Sequence, residues 1–282
     1  MAVQKNDSGR RAVQVEVEVP GTPEEVWRAI ATAEGISSWF VPTTTEHDAE
    51  GKPVRMTCDF GPGMESISKV TEWNPPHSLS AESKDLGEDA PPVATQWIVE
   101  SRGGGVCIVR VVHSLFASTD DWDNQLEGWE SGWPGFFRLL RLYLTHFPGQ
   151  ASSLFQLSGF APTPKSSAWS ALTTALGFDK PQVGQRCQSS GSAPALAGVV
   201  ERVGEAAYPE ELLLRLDTPA PGIGHLFAMK MGEQVLLSLR FYLYGDTASI
   251  VRTRDEPVWQ AWIEKHFSAG SQTESSEEGA CD

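Results

Sequence analysis

Apolar and polar residues alternate from Val13 to Val19, with Val13, Val15, Val17 and Val19 set against Gln14, Glu16 and Glu18. This spacing predicts a half-buried strand with a charged outer face. Pro20-Gly21-Thr22-Pro23 turns the chain, and a helix follows over Glu24–Ala31, with Val26, Trp27, Ile30 and Ala31 on one side. Thr22 is a good N-cap, Pro23 suits the first helical turn, and Glu24 and Glu25 complement the helix start. The same order recurs further along. Leu154–Phe160 runs into Ala161-Pro162-Thr163-Pro164 and a helix over Ser166–Leu176 that carries Trp169. Each copy continues through several strand-like runs and ends on a Trp-bearing amphipathic stretch, Trp129 and Trp133 in the first, Trp259 and Trp262 in the second. A repeat of this length predicts two whole domains rather than a solenoid.

In the first half, Gly35 breaks the helix and Ile36–Phe40 forms a short turn ending near Pro42. Val54–Phe60, Met64–Trp73, Leu79–Ser83, Val93–Glu100 and Val106–His113 then read as a meander of strands. Arg102-Gly103-Gly104-Gly105 between the last two is a hairpin signal. With Gln96, Glu100 and Arg110 facing water, the inward set is Thr95, Trp97, Val99, Cys107, Val109, Val111 and His113. Asp120, Asp121 and Asp123 open a long helix containing Pro134, a residue that removes a backbone donor and kinks helices. In the second half, strands are expected over 196–203, 212–216, 222–231 and 235–244. A short terminal helix is expected from Pro257 to Phe267, half as long as its counterpart.

The chain has 282 residues, 40% of them hydrophobic, which supplies two cores. Net charge is −15, and both halves are acidic, with 12 Lys+Arg against 22 Asp+Glu through Gln150 and 10 against 15 after it. Neither half offers a basic face for nucleic acid. No run reaches the ~18 apolar residues of a membrane span, and Met1–Arg11 lacks an apolar signal core. The expected compartment is the cytoplasm.

Candidate chemistry is sparse. Cys58, Cys107, Cys187 and Cys281 are far apart, with no close pair for zinc or a disulfide framework. No serine stands in a GxSxG setting, and no HExxH occurs. The three glycines after Arg102 join two strands and form no phosphate loop. His113 is the one inward base, and a lone inward His is more often a hydrogen-bonded core residue than a catalyst. Neither a catalytic set nor a metal or cofactor site is assigned. The tryptophans carry more information, because a group of them facing one interior suits a pocket for an apolar or aromatic molecule.

Thr22-Pro23-Glu24-Glu25-Val26-Trp27 with Ile30-Ala31 resembles the start of the START-like (SRPBCC) superfamily. Ile36-Ser37-Ser38-Trp39-Phe40 and Gly128-Trp129-Glu130 resemble its branch named after the activator of Hsp90 ATPase (AHSA1). The resemblance implies an α+β fold of tandem helix-grip (START/Bet v 1-like) domains, each a curved antiparallel sheet around a long C-terminal helix with a cavity between. The expected division is a disordered 1–11, an AHSA1-like domain over 12–148, a diverged second copy over 151–267, and a disordered acidic tail over 268–282. The expected function is binding of a hydrophobic or aromatic small molecule or lipid. Met56, Cys58, Trp97, Val109, Val111, His113, Trp129, Trp133 and Phe137 are the candidate ligand-binding residues. Two alternatives come with the resemblance: a protein-interaction role of cochaperone type with a protein partner, and an enzyme of cyclase or aromatase type.

Overall fold

Thr22 caps the first helix from both directions. In the computed structural model, Thr22 Oγ1 accepts from the Glu25 N–H (3.3 Å) while Glu25 Oε2 accepts from the Thr22 N–H (2.8 Å). Two of the donors left open at a helix start are thereby satisfied. The structure describes residues 3–5, 9–61, 63–87, 90–117, 121–162, 164–205 and 208–268. The expected disordered tail, from 269 onward, lies outside them, as does Asp120.

The chain falls into two compact units, one comprising residues up to 154 with Tyr242–Asp246, the other 155–241 with 247 onward. The first unit begins with β1 (Gln4–Lys5), β2 (Arg10–Pro20), α1 (Pro23–Ala31) and α2 (Ala33–Ser37). A meander follows: β3 (Thr43–His47), β4 (Pro53–Asp59), β5 (Glu65–Asn74), β6 (Ser78–Ser83), β7 (Val93–Gly103) and β8 (Val106–Phe116). The long helix α3 (Asp123–His146) closes it. The strands form one antiparallel sheet in the order β1-β2-β8-β7-β6-β5-β4-β3. First and last long strands are neighbours, so the meander curls back to meet β2. Glycine is required where α1 meets α2, since a Cβ on Gly35 would lie 1.9 Å from the Arg28 carbonyl oxygen. Trp39 then donates its Nε1–H to the Ala29 carbonyl (2.9 Å), tying the segment after α2 to α1.

Two expectations for this unit need correction. Residues 1–11 are not uniformly disordered: Gln4 and Lys5 pair with Ala12 and Arg11, and Arg11 is buried. Both basic groups reach Asp123 at the start of α3, Arg11 at 2.6 Å and Lys5 at 2.8 Å. Ladder bonds and ion pairs hold this stretch, and neither leaves an apolar periodicity to read. The strand β3 was also unexpected. Its Thr-Thr-Thr-Glu-His sequence is polar, but β-branched residues suit an edge strand.

The second unit has β9 (Ser153–Pro162), α4 (Lys165–Leu176), β10 (Arg186–Gln188), β11 (Ala197–Glu205), β12 (Tyr208–Thr218), β13 (Gly222–Met231), β14 (Gln234–Leu243) and α5 (Ala248–His266). Its sheet order, β10-β11-β12-β13-β14-β9, again places the first strand beside the last. Both units therefore follow one plan: strand, helix, antiparallel meander, long helix. The fold is α+β with tandem helix-grip domains. The terminal helix is longer than expected. It begins at Ala248, nine residues before the anticipated start, and Pro257 lies inside it as Pro134 lies inside α3. A proline within a helix forgoes one ladder bond but does not end the helix when flanking turns are held by packing. Here Trp259 and Trp262 supply that packing, with Trp259 against Phe241 (5.1 Å) and Phe241 against Phe155 (5.0 Å). No helix among the described residues is long and apolar enough to cross a membrane.

Tyr242–Asp246 belong with the first unit, and their role is local. Tyr242 Oη donates to the Phe40 carbonyl (2.6 Å) and Tyr244 Oη to the Ser38 carbonyl (2.7 Å). Ser152 Oγ donates to the Ser37 carbonyl (2.9 Å). The last carbonyls of a helix and the turn after it lack intrahelical partners, and three hydroxyls supply them here. Tyr244 also stacks on Phe147 at 4.2 Å. Burial pushes its phenol pKa well up, so it stays a donor. Tyr244→Phe is expected to cost about 1–2 kcal/mol in chemical unfolding, the penalty of a buried acceptor losing its donor. A cost below about 0.3 kcal/mol would show that the Ser38 carbonyl is satisfied without it.

Candidate ligand cavity

A cavity of ≈710 Å³ lies within the first unit, between the sheet and α3. Strand parity builds its floor. Met56 and Cys58 on β4 stand opposite Ser68 and Ser66 on β5, Ser68 is opposite Ser83 on β6, and Ala81 is opposite Thr95, itself opposite His113. All of these reach the cavity wall. The roof is one face of α3. Gly128, Gly132 and Phe136 follow each other at i, i+4 spacing, flanked by Trp129 and Trp133 at the same spacing. Ile30 from α1, with Ile36, Trp39 and Phe40, completes one end, and Phe60, Met64, Glu65 and Asp85 also line the cavity.

The aromatic side chains interlock. Trp133 meets Trp97 edge-to-face at 5.0 Å, Phe40 lies nearly parallel to Trp133 at 5.7 Å, and Phe136 meets Phe40 at right angles at 4.6 Å. Such pairs add to the hydrophobic gain from their burial.

Roof and floor are joined by one hydrogen-bonded chain. Trp133 donates its Nε1–H to His113 Nε2 at 2.6 Å. The two ring planes are only 21° apart, which with this bond means that the rings lie edge to edge in one plane rather than face to face. An indole can only donate, so Nε2 carries no proton. The proton is on Nδ1, which donates to Thr95 Oγ1 at 2.9 Å. Burial lowers the His113 pKa to about 4, consistent with a neutral ring whose two nitrogens are both engaged.

The other polar groups on the wall include the Cys58 thiol, the hydroxyls of Ser66, Ser68, Ser83 and Thr95, and the carboxylates of Glu65 and Asp85. Burial, the largest influence, and the nearby Asp85 carboxylate raise the Cys58 thiol pKa, against a contact from Thr43 that lowers it. This keeps the thiol protonated and a weak nucleophile. Ser66 donates to Asp85 at 2.8 Å in an exposed position. Among the described residues, no three His, Cys, Asp or Glu side chains converge to hold a metal ion.

Six residues singled out from the sequence line the cavity: Met56, Cys58, Trp97, His113, Trp129 and Trp133. Three do not. Val109 and Val111 share the inward side of β8 with His113 but are fully buried and do not line the cavity. Phe137 is also buried behind the wall, against Trp133 (5.4 Å) and Trp97 (6.1 Å). Sequence reasoning left out Phe40, Phe60, Met64 and Phe136, together with Gly128 and Gly132. The glycines carried a usable signal, since two helix-weakening residues one turn apart beside two tryptophans mark a face with room above it. Of the residues behind the AHSA1 resemblance, Ile36, Trp39, Phe40, Gly128 and Trp129 line this cavity, while Ser37, Ser38 and Glu130 do not.

Residues 10–142 match the family model described as polyketide cyclase / dehydrase and lipid transport. No curated protein matches the chain. Among solved structures, the di-domain ARO/CYC BexL from the BE-7585A biosynthetic pathway aligns at 14% identity over 93% of this chain and 100% of its own, with TM-score 0.43. The di-domain ARO/CYC StfQ from the steffimycin biosynthetic pathway aligns at 13% identity over 90% and 98%, with TM-score 0.41. The Aha1 dimer from Colwellia psychrerythraea aligns at 19% identity over 47% and 95%, with TM-score 0.36. The matched family segment thus spans β2 through most of α3, the elements that build the cavity.

Proposed function

We propose that the first unit binds a flat hydrophobic or aromatic small molecule in the cavity under α3, and that it does so without chemistry. The observation behind this reading is the cavity itself: ≈710 Å³, within the ~300–1,000 Å³ of typical small-molecule sites, with aromatic walls and a single neutral imidazole. A strip of hydroxyls on the floor, Ser66, Ser68, Ser83 and Thr95, offers hydrogen bonds to polar groups along one edge of the molecule.

The family description favours a second reading, an enzyme of cyclase type. His113 would be its acid or base. A base needs a free lone pair within reach of the proton it takes, whereas both nitrogens of His113 are occupied by Trp133 and Thr95. The imidazole therefore serves binding and architecture better than proton transfer. Five of the eight residues behind the cochaperone reading, Ile36, Trp39, Phe40, Gly128 and Trp129, line the cavity, which gives those five a role that needs no protein partner.

The neutral ring gives a pH signature. Unfolded, the imidazole titrates near ~6.5. Folded, it titrates only at about 4. Between those values the unfolded chain takes up a proton that the folded chain refuses. Stability therefore falls as pH drops from ~6.5 towards 4, by up to about 3 kcal/mol, and this group contributes no slope above or below that window. His113→Gln keeps an acceptor for the indole and should remove that part of the slope. Equal pH profiles for the two proteins, measured by urea unfolding, would overturn the assignment of a buried neutral imidazole.

The roof glycines give a second test with opposite signs. A Cβ on Gly128 or Gly132 would meet nothing within 4 Å, so alanine fits and favours the helix by about 1 kcal/mol per site. Those methyls also take space from the cavity. The double variant Gly128→Ala/Gly132→Ala is expected to unfold at higher denaturant while binding the neutral fluorophore Nile red more weakly than wild type. Wild-type protein that is folded yet binds no Nile red, or a double variant that binds it more tightly, would count against the ligand site.

A further inference from the structure

The cavity wall carries formal charge of one sign. Glu65 and Asp85 line it and both are exposed to solvent, while no Lys or Arg lines it among the described residues. No Lys or Arg occurs among the undescribed residues either. Lys84, next to Asp85 in sequence, is not part of the wall. His113 supplies no cation, because the Trp133 indole already donates to its Nε2. The Asp85 carboxylate is oriented by the Ser66 hydroxyl. Its field reaches the interior, where it adds to burial in raising the Cys58 thiol pKa.

The remaining electrostatic surface comes from rings, with Phe40, Phe60, Trp97, Trp129, Trp133 and Phe136 on the wall. Ring faces carry negative partial charge and attract cations. A carboxylate or phosphate head entering this space would lose water, find no counter-charge, and meet two carboxylates and several ring faces. An ammonium would be favoured by both. Net charge of −15 over the whole chain adds a long-range bias of the same sign.

We propose that the cavity selects a flat hydrophobic molecule bearing a protonated amine, with the ammonium at the Asp85 end and the skeleton under the aromatic roof of α3. The inference rests on the cavity being a ligand site. It makes fatty acids and other amphiphiles with anionic heads poor ligands. It also names Asp85 as the residue that sets charge preference, a role for which an exposed position at the wall is suitable, because the amine keeps part of its hydration.

The test uses the full chain and three naphthalene probes of one shape: 2-(aminomethyl)naphthalene, 2-naphthalenemethanol and 2-naphthoic acid. Isothermal titration at pH 7 and low salt is expected to rank them amine, alcohol, acid. About tenfold or more should separate the first from the last, the size of effect that one partly exposed charge pair, attractive for one probe and repulsive for the other, can give. The gap should narrow as salt screens it. Asp85→Asn should bring the amine to within about threefold of the alcohol, both measured on that variant, with far-UV circular dichroism checking the fold. The inference is overturned if the acid binds as tightly as the amine, or if the amine's advantage survives in Asp85→Asn/Glu65→Gln. Binding of the alcohol with no preference for the amine would sink this inference alone. Failure of all three probes to bind folded protein would sink the ligand site with it.

Discussion

The hydrogen-bonded chain from Trp133 through His113 to Thr95 is the constraint around which the first unit is arranged. It joins the roof helix to the floor of the sheet by the edges of two aromatic rings, and it works only with the imidazole neutral and its proton on Nδ1. A helix held above a sheet by packing alone settles until side chains fill the gap, because interiors close-pack. A directional bond between large rings fixes a separation instead. The space beside that bond is left over, widened by Gly128 and Gly132, which carry no side chain to occupy it. Polar satisfaction and cavity formation are here the same event: the groups that would be costly to bury unpaired are paired with one another, and the pairing props the cavity open.

Much of this was legible from period alone. Alternation along Val93–Glu100 and Val106–His113 placed Trp97 and His113 on one face. Helical spacing placed Trp129 and Trp133 opposite them, and both pairs meet as the pattern requires. Parity has a limit, however. It gives the side of a sheet that a residue occupies, not what covers that point of the sheet. Val109 and Val111 obey the same parity as His113 yet are fully buried away from the cavity, while Phe137 backs the wall it was expected to form. Phe60 and Met64 were read as strand ends, yet they lie just outside β4 and β5, beyond the paired residues whose register fixes parity. The start of α5 escaped because Pro257 looks like a helix boundary when read by itself. Its role is decided by Trp259 and Trp262, whose packing a local window does not weigh.

The two units share an order of elements and differ in what their sequences do with it. In the first, glycines on the closing helix face the sheet across open space. In the second, the closing helix presses on a glycine of the sheet. A Cβ on Gly159 would lie 2.7 Å from Phe267 Cβ and 2.9 Å from Ile263 Cγ1, so there the small residue brings helix and strand into contact. Glycine thus has opposite effects in the two units, spacing in one and closure in the other, depending on whether it belongs to the helix or to the strand.

The hydroxyls that satisfy the carbonyls of Ser38 and Phe40 come from Tyr244 and Tyr242, near the other end of the chain. During synthesis the N-terminal segments leave the ribosome first and begin to fold as units. Trp39, Phe40 and all of α3 are therefore available long before these two tyrosines exist. The end wall of the cavity waits, with polar groups unmet, for residues translated after most of the second unit. A polypeptide released before Tyr242 would carry Trp39, Phe40 and the aromatic roof, but the carbonyls of Ser38 and Phe40 would lack the two phenol donors that meet them in the finished fold.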